Sequence, residues 1–281
     1  MCGIVKSMMI FTDPNDIEKR EDLRNLYDAW KKVIAPKASI LSPVDNKRKK
    51  PLTFFNEDGF YPGYFSTKTK PRILFIGRES RLQSNKNGIP IDTIERDAPE
   101  SWLDYVFYKR ILYLVHGIKE KGKYKFENIR LEQVLKKMKT NNKYGFAFMN
   151  ISKYSNDDSN YRANYKLINR FLEDSELDKR NFIREEIELL DPSIIITANL
   201  WNGKIKEKYL NMIFPPENFR ETDNKDEAAC MWEFNLNNHK VKLVETYHFS
   251  AINKKNEKTG KRECIDNQND FYDPVMKLLF K

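Results

Sequence analysis

The chain has 281 residues, 40% of them hydrophobic and 32% charged, with 10 Gly, 12 Pro and a formal charge of +9. This excludes disordered or fibrous material and leaves one large α/β domain or two small ones; the cationic excess suits either a polyanionic partner or a solvated Lys-rich surface. Three cysteines without C-x-x-C spacing exclude a disulfide framework, a zinc centre and an iron–sulfur cluster, while no signal-peptide pattern and no apolar run of about 20 residues points to a cytoplasmic chain with no membrane partner. With no P-loop and no G-x-G-x-x-G either, no cofactor is expected.

In chain order, Ile17, Leu23, Leu26, Tyr27, Trp30 and Ile34 recur near helical spacing, predicting a helix that begins near Asp13-Pro14. The polar run over residues 45–51 reads as a linker within a domain. Lys70-Pro-Arg-Ile-Leu-Phe-Ile-Gly77 has the profile of a buried parallel strand. Helices are expected over 99–119 and 131–138, and Gly145-Phe-Ala-Phe-Met-Asn150 reads as a second strand ending on Asn150. Further helices are expected at about 160–173 and 179–190, followed by a third strand over 193–198. Residues 231–247 alternate as a hairpin turning at Asn237-Asn238, whose second arm runs into His248, and a helix over 270–280 closes the chain.

Strands separated by helices imply a three-layer α/β/α fold around a central, mainly parallel sheet of about four strands. Residues 1–69 form an N-terminal helical extension packed on a core domain spanning 70–281. Ligands of such sheets bind beyond the carboxyl ends of the strands. The candidate site is therefore made by the segments after Gly77, Asn150 and His248.

Those segments are Gly77-Arg78-Glu79-Ser80-Arg81, Phe148-Met149-Asn150-Ile151 and His248-Phe249-Ser250-Ala251-Ile252. Their order and spacing resemble the uracil-DNA glycosylase superfamily, with its G-Q-D-P-Y loop, strand-ending Asn and late H-P-S-P-L loop. The resemblance implies a monomeric DNA glycosylase that flips a nucleotide and hydrolyses its glycosidic bond, leaving an abasic site. It assigns Asn150 to reading the Watson–Crick edge of the base, although a strand-ending Asn also serves as a simple loop cap. His248 would stabilise negative charge on the departing pyrimidine, a contribution of about 2–4 kcal/mol. Glu79 would orient water and offset the cationic sugar, and its other reading is a carboxylate salt-bridged between Arg78 and Arg81.

Arg81 stands near the Tyr that excludes a 5-methyl group in uracil-specific members, which implies a site open at pyrimidine C5, a modified base and a defence role. Ser80 replaces the usual Pro and falls among the DNA contacts. Ser250 and Ile252 match the DNA-clamping Ser and the apolar wedge. Lys254 and Lys255 open a run with five cations within ten residues, suited to phosphates. Lys153 and Tyr154 are read as a phosphate contact and a stacking residue. Two other readings remain open: a non-catalytic nucleic-acid-binding module, and a metal-dependent nuclease using Asp157, Asp158 and Glu79.

Overall fold

A computed structural model describes residues 13–34, 55–66, 70–81, 100–141, 144–156, 163–177, 180–200, 213, 220–226, 228–255 and 259–280. At Ser80 and Arg81 the backbone alone is described, and Asp157, Asp158 and the 45–51 linker lie outside these residues. Helix α1 (Pro14–Ile34) opens with the Asp13 carboxylate accepting from the Asn15 amide at 3.0 Å. It buries Leu23, Leu26, Tyr27, Trp30 and Ile34, whereas Ile17 is 51% exposed and falls outside that stripe.

The sheet has seven strands: β1 (Gly59–Phe60), β2 (Ile73–Arg81), β3 (Ala147–Asn156), β6 (Ile194–Ala198), β7 (Arg220–Asp226), β8 (Ala229–Leu236) and β9 (His239–Thr246). Their order is β1-β3-β2-β6-β9-β8-β7. The four inner strands β3-β2-β6-β9 are parallel, and antiparallel β1 on one side and β8–β7 on the other extend them. The expectation of about four strands thus describes the parallel centre. Of the antiparallel additions, β8 is the first arm of the expected 231–247 hairpin, whereas β1 and β7 lie outside the expected strands.

Helices cover both faces. Helices α2 (Val106–Lys119), α3 (Leu131–Asn141) and α6 (Asp273–Phe280) pack on Phe75, Phe146, Ile196 and Val244. On the other face α1, α4 (Tyr165–Asp174) and α5 (Phe182–Leu190) pack on Leu74, Ile76, Met149, Ile195 and Leu243. The chain is therefore α/β with a three-layer arrangement, since parallel strands need crossovers that cover both faces. Helix α1 shares this core with β2 and β3, and β1 pairs directly with β3, so the segment before residue 70 contributes to the central layers.

Local signals account for several boundaries. Helix α5 stops at Asp191, which is left-handed at φ 46° and precedes Pro192. Asn237 and Asn238, at φ 46° and 63°, supply the two positive φ angles that a two-residue hairpin needs between β8 and β9. Two further pairs, β4 (Glu176–Leu177) with β5 (Arg180–Asn181) and β10 (Asn253–Lys255) with β11 (Arg262–Cys264), form small separate hairpins. The last sets Lys254 opposite Glu263 and Lys255 opposite Arg262. Among the described residues no helix is long and apolar enough to cross a membrane.

Candidate functional site

Strand order 2-1-3-4 among the parallel strands reverses direction at β2, and the crevice beside such a switch point is where open α/β sheets bind ligands. Asn150 lies in the middle of β3, in register with Gly77 of β2. The expected strand end at Asn150 is corrected to Asn156, because parallel pairing with β2 continues through Glu79–Ser152 and Arg81–Asn156. Asn150 is 9% exposed. Its amide oxygen fills the space a side chain would take at Gly77, where a Cβ would sit 2.5 Å from Oδ1. The Asn150 backbone N–H donates to Asp58 at 2.6 Å, and its side-chain amide also bonds that carboxylate.

Glu79 is partly exposed, and its Oε1 accepts from Asn156 Nδ2 at 3.1 Å and from the Asn164 backbone N–H at 3.2 Å. Asn164 caps α4 by accepting from the Leu167 amide, so Glu79 sits at a helix N-terminus where negative charge is favoured. Arg78 turns away from it, donating to the Asn199 carbonyl at 3.0 Å and lying over the Tyr165 ring.

His248 is partly exposed, two residues beyond β9, and its Nδ1 accepts from the Ser250 backbone N–H at 3.2 Å. A neutral imidazole held this way carries its proton on Nε2. The Phe107 ring of α2 stands 6.4 Å from the His248 ring, 5.8 Å from Phe148 of β3 and 5.7 Å from Phe249. Phe148 and Asn150 both border Gly77, so this aromatic group joins the Asn150 and His248 arms. Nothing in the sequence marks Phe107 as distinct from its apolar helical neighbours.

The loop after His248 is fastened from below. Arg110 of α2, itself buried, donates to the carbonyls of Phe249 at 2.9 Å and Ala251 at 2.6 Å and lies 4.1 Å from the Phe271 ring centre. Burial pushes its guanidinium down to about 10. Above it Ser250 is exposed and Ile252 is 66% exposed, at the mouth of a groove of about 670 Å³ that Lys254, Lys255, Gly260 and Arg262 also line. Lys254 pairs with Asp270 at 2.6 Å, whereas Lys255, Lys261 and Arg262 point outward on the hairpin.

Two expected DNA contacts are corrected. Lys153 is fully buried, paired with Asp58 and with Glu186 at 2.6 Å, so its ammonium does not reach the surface. Tyr154 is 3% exposed and packs edge-on against Phe171, leaving no face for a base. Both follow from the extra length of β3, which carries these residues into the core instead of into a loop. Among the described residues no group of three or more His, Cys, Asp or Glu side chains is arranged to hold a metal ion.

Compared with known proteins, the chain matches no family model, no curated protein and no solved structure.

Proposed function

We propose that the chain is a DNA glycosylase acting as a monomer, with the site between Asn150 and His248. One observation carries this reading: the Phe107 ring bridges the strand that carries Phe148 and Asn150 and the loop that carries His248, whose Nδ1 accepts from the Ser250 amide. An amide that can read a base edge and a preset donor for the departing base are the two functions that excision of a flipped pyrimidine needs. As the glycosidic bond breaks, its electron pair stays with the base, and His248 stabilises the charge on the pyrimidine oxygen. Water adds at the sugar carbon and loses its proton to Glu79 or solvent. Ile252 fills the space left in the stack, and Lys255 and Arg262 hold phosphates. The base is uracil or a 5-substituted pyrimidine, the latter in keeping with a defence role.

The test is abasic-site formation in EDTA on duplex and single-stranded DNA containing uracil, 5-hydroxymethyluracil, 5-hydroxymethylcytosine or glucosylated cytosine. Excision of one of these is expected, with a loss of about 100-fold or more in His248→Ala. Binding without product across the panel would overturn it. That outcome would favour a non-catalytic nucleic-acid-binding module, a second reading supported by the engagement of Glu79 Oε1 with Asn156 and Asn164.

A further inference from the structure

The most thoroughly buried charges of the described chain lie behind Asn150. Lys153 and Glu186 are fully buried and Asp58 nearly so. Lys153 Nζ joins both carboxylates and donates to the Asn150 carbonyl at 2.9 Å, while the Tyr27 hydroxyl donates to Glu186 at 2.6 Å. Lys153 reaches only the Asn150 carbonyl, whereas Asp58 bonds both its backbone and its side-chain amide. Burial raises the Asp58 carboxyl, and the Lys153 charge opposes that rise.

Burying three charges is costly, and an apolar replacement of similar volume often stabilises a fold more. The arrangement does something an apolar cluster could not. An ionised carboxylate only accepts, so Asn150 must turn Nδ2 toward Asp58, and Oδ1 then lies over Gly77. A flip of the amide would set its oxygen against the carboxylate.

Orientation matters because a side-chain amide is a reversible reader. Uracil-type bases present an N3 donor beside the O4 acceptor, and cytosine-type bases present an N3 acceptor beside the N4 donor. One Asn fits either pattern if it can rotate by half a turn. We propose that Asp58 is a positioning residue that determines specificity: by holding Nδ2 of Asn150 it locks the amide in one sense, so that the site accepts one of these two pyrimidine classes and refuses the other. This rests on the glycosylase reading above, and it adds a residue 92 positions away from the amide it controls.

The experiment compares wild type with Asp58→Asn, which keeps the shape but offers both a donor and an acceptor, and with Glu186→Gln, which alters the same buried network without touching Asn150. Excision is measured on matched DNAs carrying uracil-type and cytosine-type bases, and the Asn150 side-chain amide is followed by 15N–1H spectroscopy, assigned by its loss in Asn150→Ala. In Asp58→Asn the ratio between the two base classes should shrink by about tenfold or more, and the Asn150 amide pair should move. In Glu186→Gln the melting temperature should change while the ratio stays. An unchanged ratio in Asp58→Asn, or an unmoved amide pair, overturns the proposal. If wild type excises neither class, the glycosylase reading falls and takes the base choice with it, and the amide resonances then decide only whether Asp58 orients Asn150.

Discussion

Gly77 shows how much at the residue scale depends on what is missing. It sits between β3 neighbours whose side chains occupy its Cβ position: Asn150 Oδ1 would be 2.5 Å and the tip of Phe148 3.1 Å from a methyl group there. Gly77→Ala is expected to displace the Asn150 amide and to cost about 1–3 kcal/mol through overpacking. Thermal unfolding would show a modest loss and the excision assay a much larger one; a variant with wild-type excision would mean that the amide has no part in the chemistry. The sequence marks Gly77 and Asn150 as neighbours of interest, because each closes an apolar run. It does not mark Asp58 or Glu186, whose shared partner Lys153 lies 95 and 33 residues from them in the chain and meets them only when β3 is laid against the N-terminal segment and α5. For the same reason Lys153 and Tyr154 read as loop residues: two polar neighbours after an apolar strand look solvent-facing until their buried partners are in place.

Elements built from local pattern were legible, and those built from pairing were not. The parallel strands β2, β6 and β9 and the Asn237-Asn238 hairpin follow from apolar runs and turn residues, whereas two-residue β1 and the β10–β11 hairpin exist only because a partner strand is near. The loop from His248 to Ile252 is an element of the second kind, since its shape depends on Arg110 of α2. Arg110→Leu would leave the carbonyls of Phe249 and Ala251 without this donor, at about 1–3 kcal/mol for each. Hydrogen exchange at the amides of Ser250 and Ala251 should accelerate, and excision should fall without loss of the overall fold. Protection equal to wild type would show that the loop is held by its own bonds, including the 2.8 Å contact from the Ala251 amide to the His248 carbonyl.

On the scale of the whole molecule, α1, the segment before β1, β3 and α5 meet in the buried group of Tyr27, Asp58, Lys153 and Glu186, so its protonation is felt as global stability. Burial pushes the Glu186 carboxyl from an ordinary 4.5 up to about 7, and Asp58 moves in the same direction. A carboxyl raised on folding keeps its proton in the folded chain after the unfolded chain has released it. Its contribution is full below about 4.5 and is lost as pH rises through about 7. Lys119, which burial pushes down to about 7, acts in the opposite sense above that pH, so the diagnostic window lies between about pH 5 and about pH 7. Over that window the melting temperature of wild type should decline relative to that of Glu186→Gln, in which the proton is replaced by a permanent amide hydrogen and Lys153 is left to Asp58 alone. Parallel pH profiles of the two proteins would mean that Glu186 stays ionised beside Lys153 across the window, and the buried group would then carry one more negative than positive charge at neutral pH.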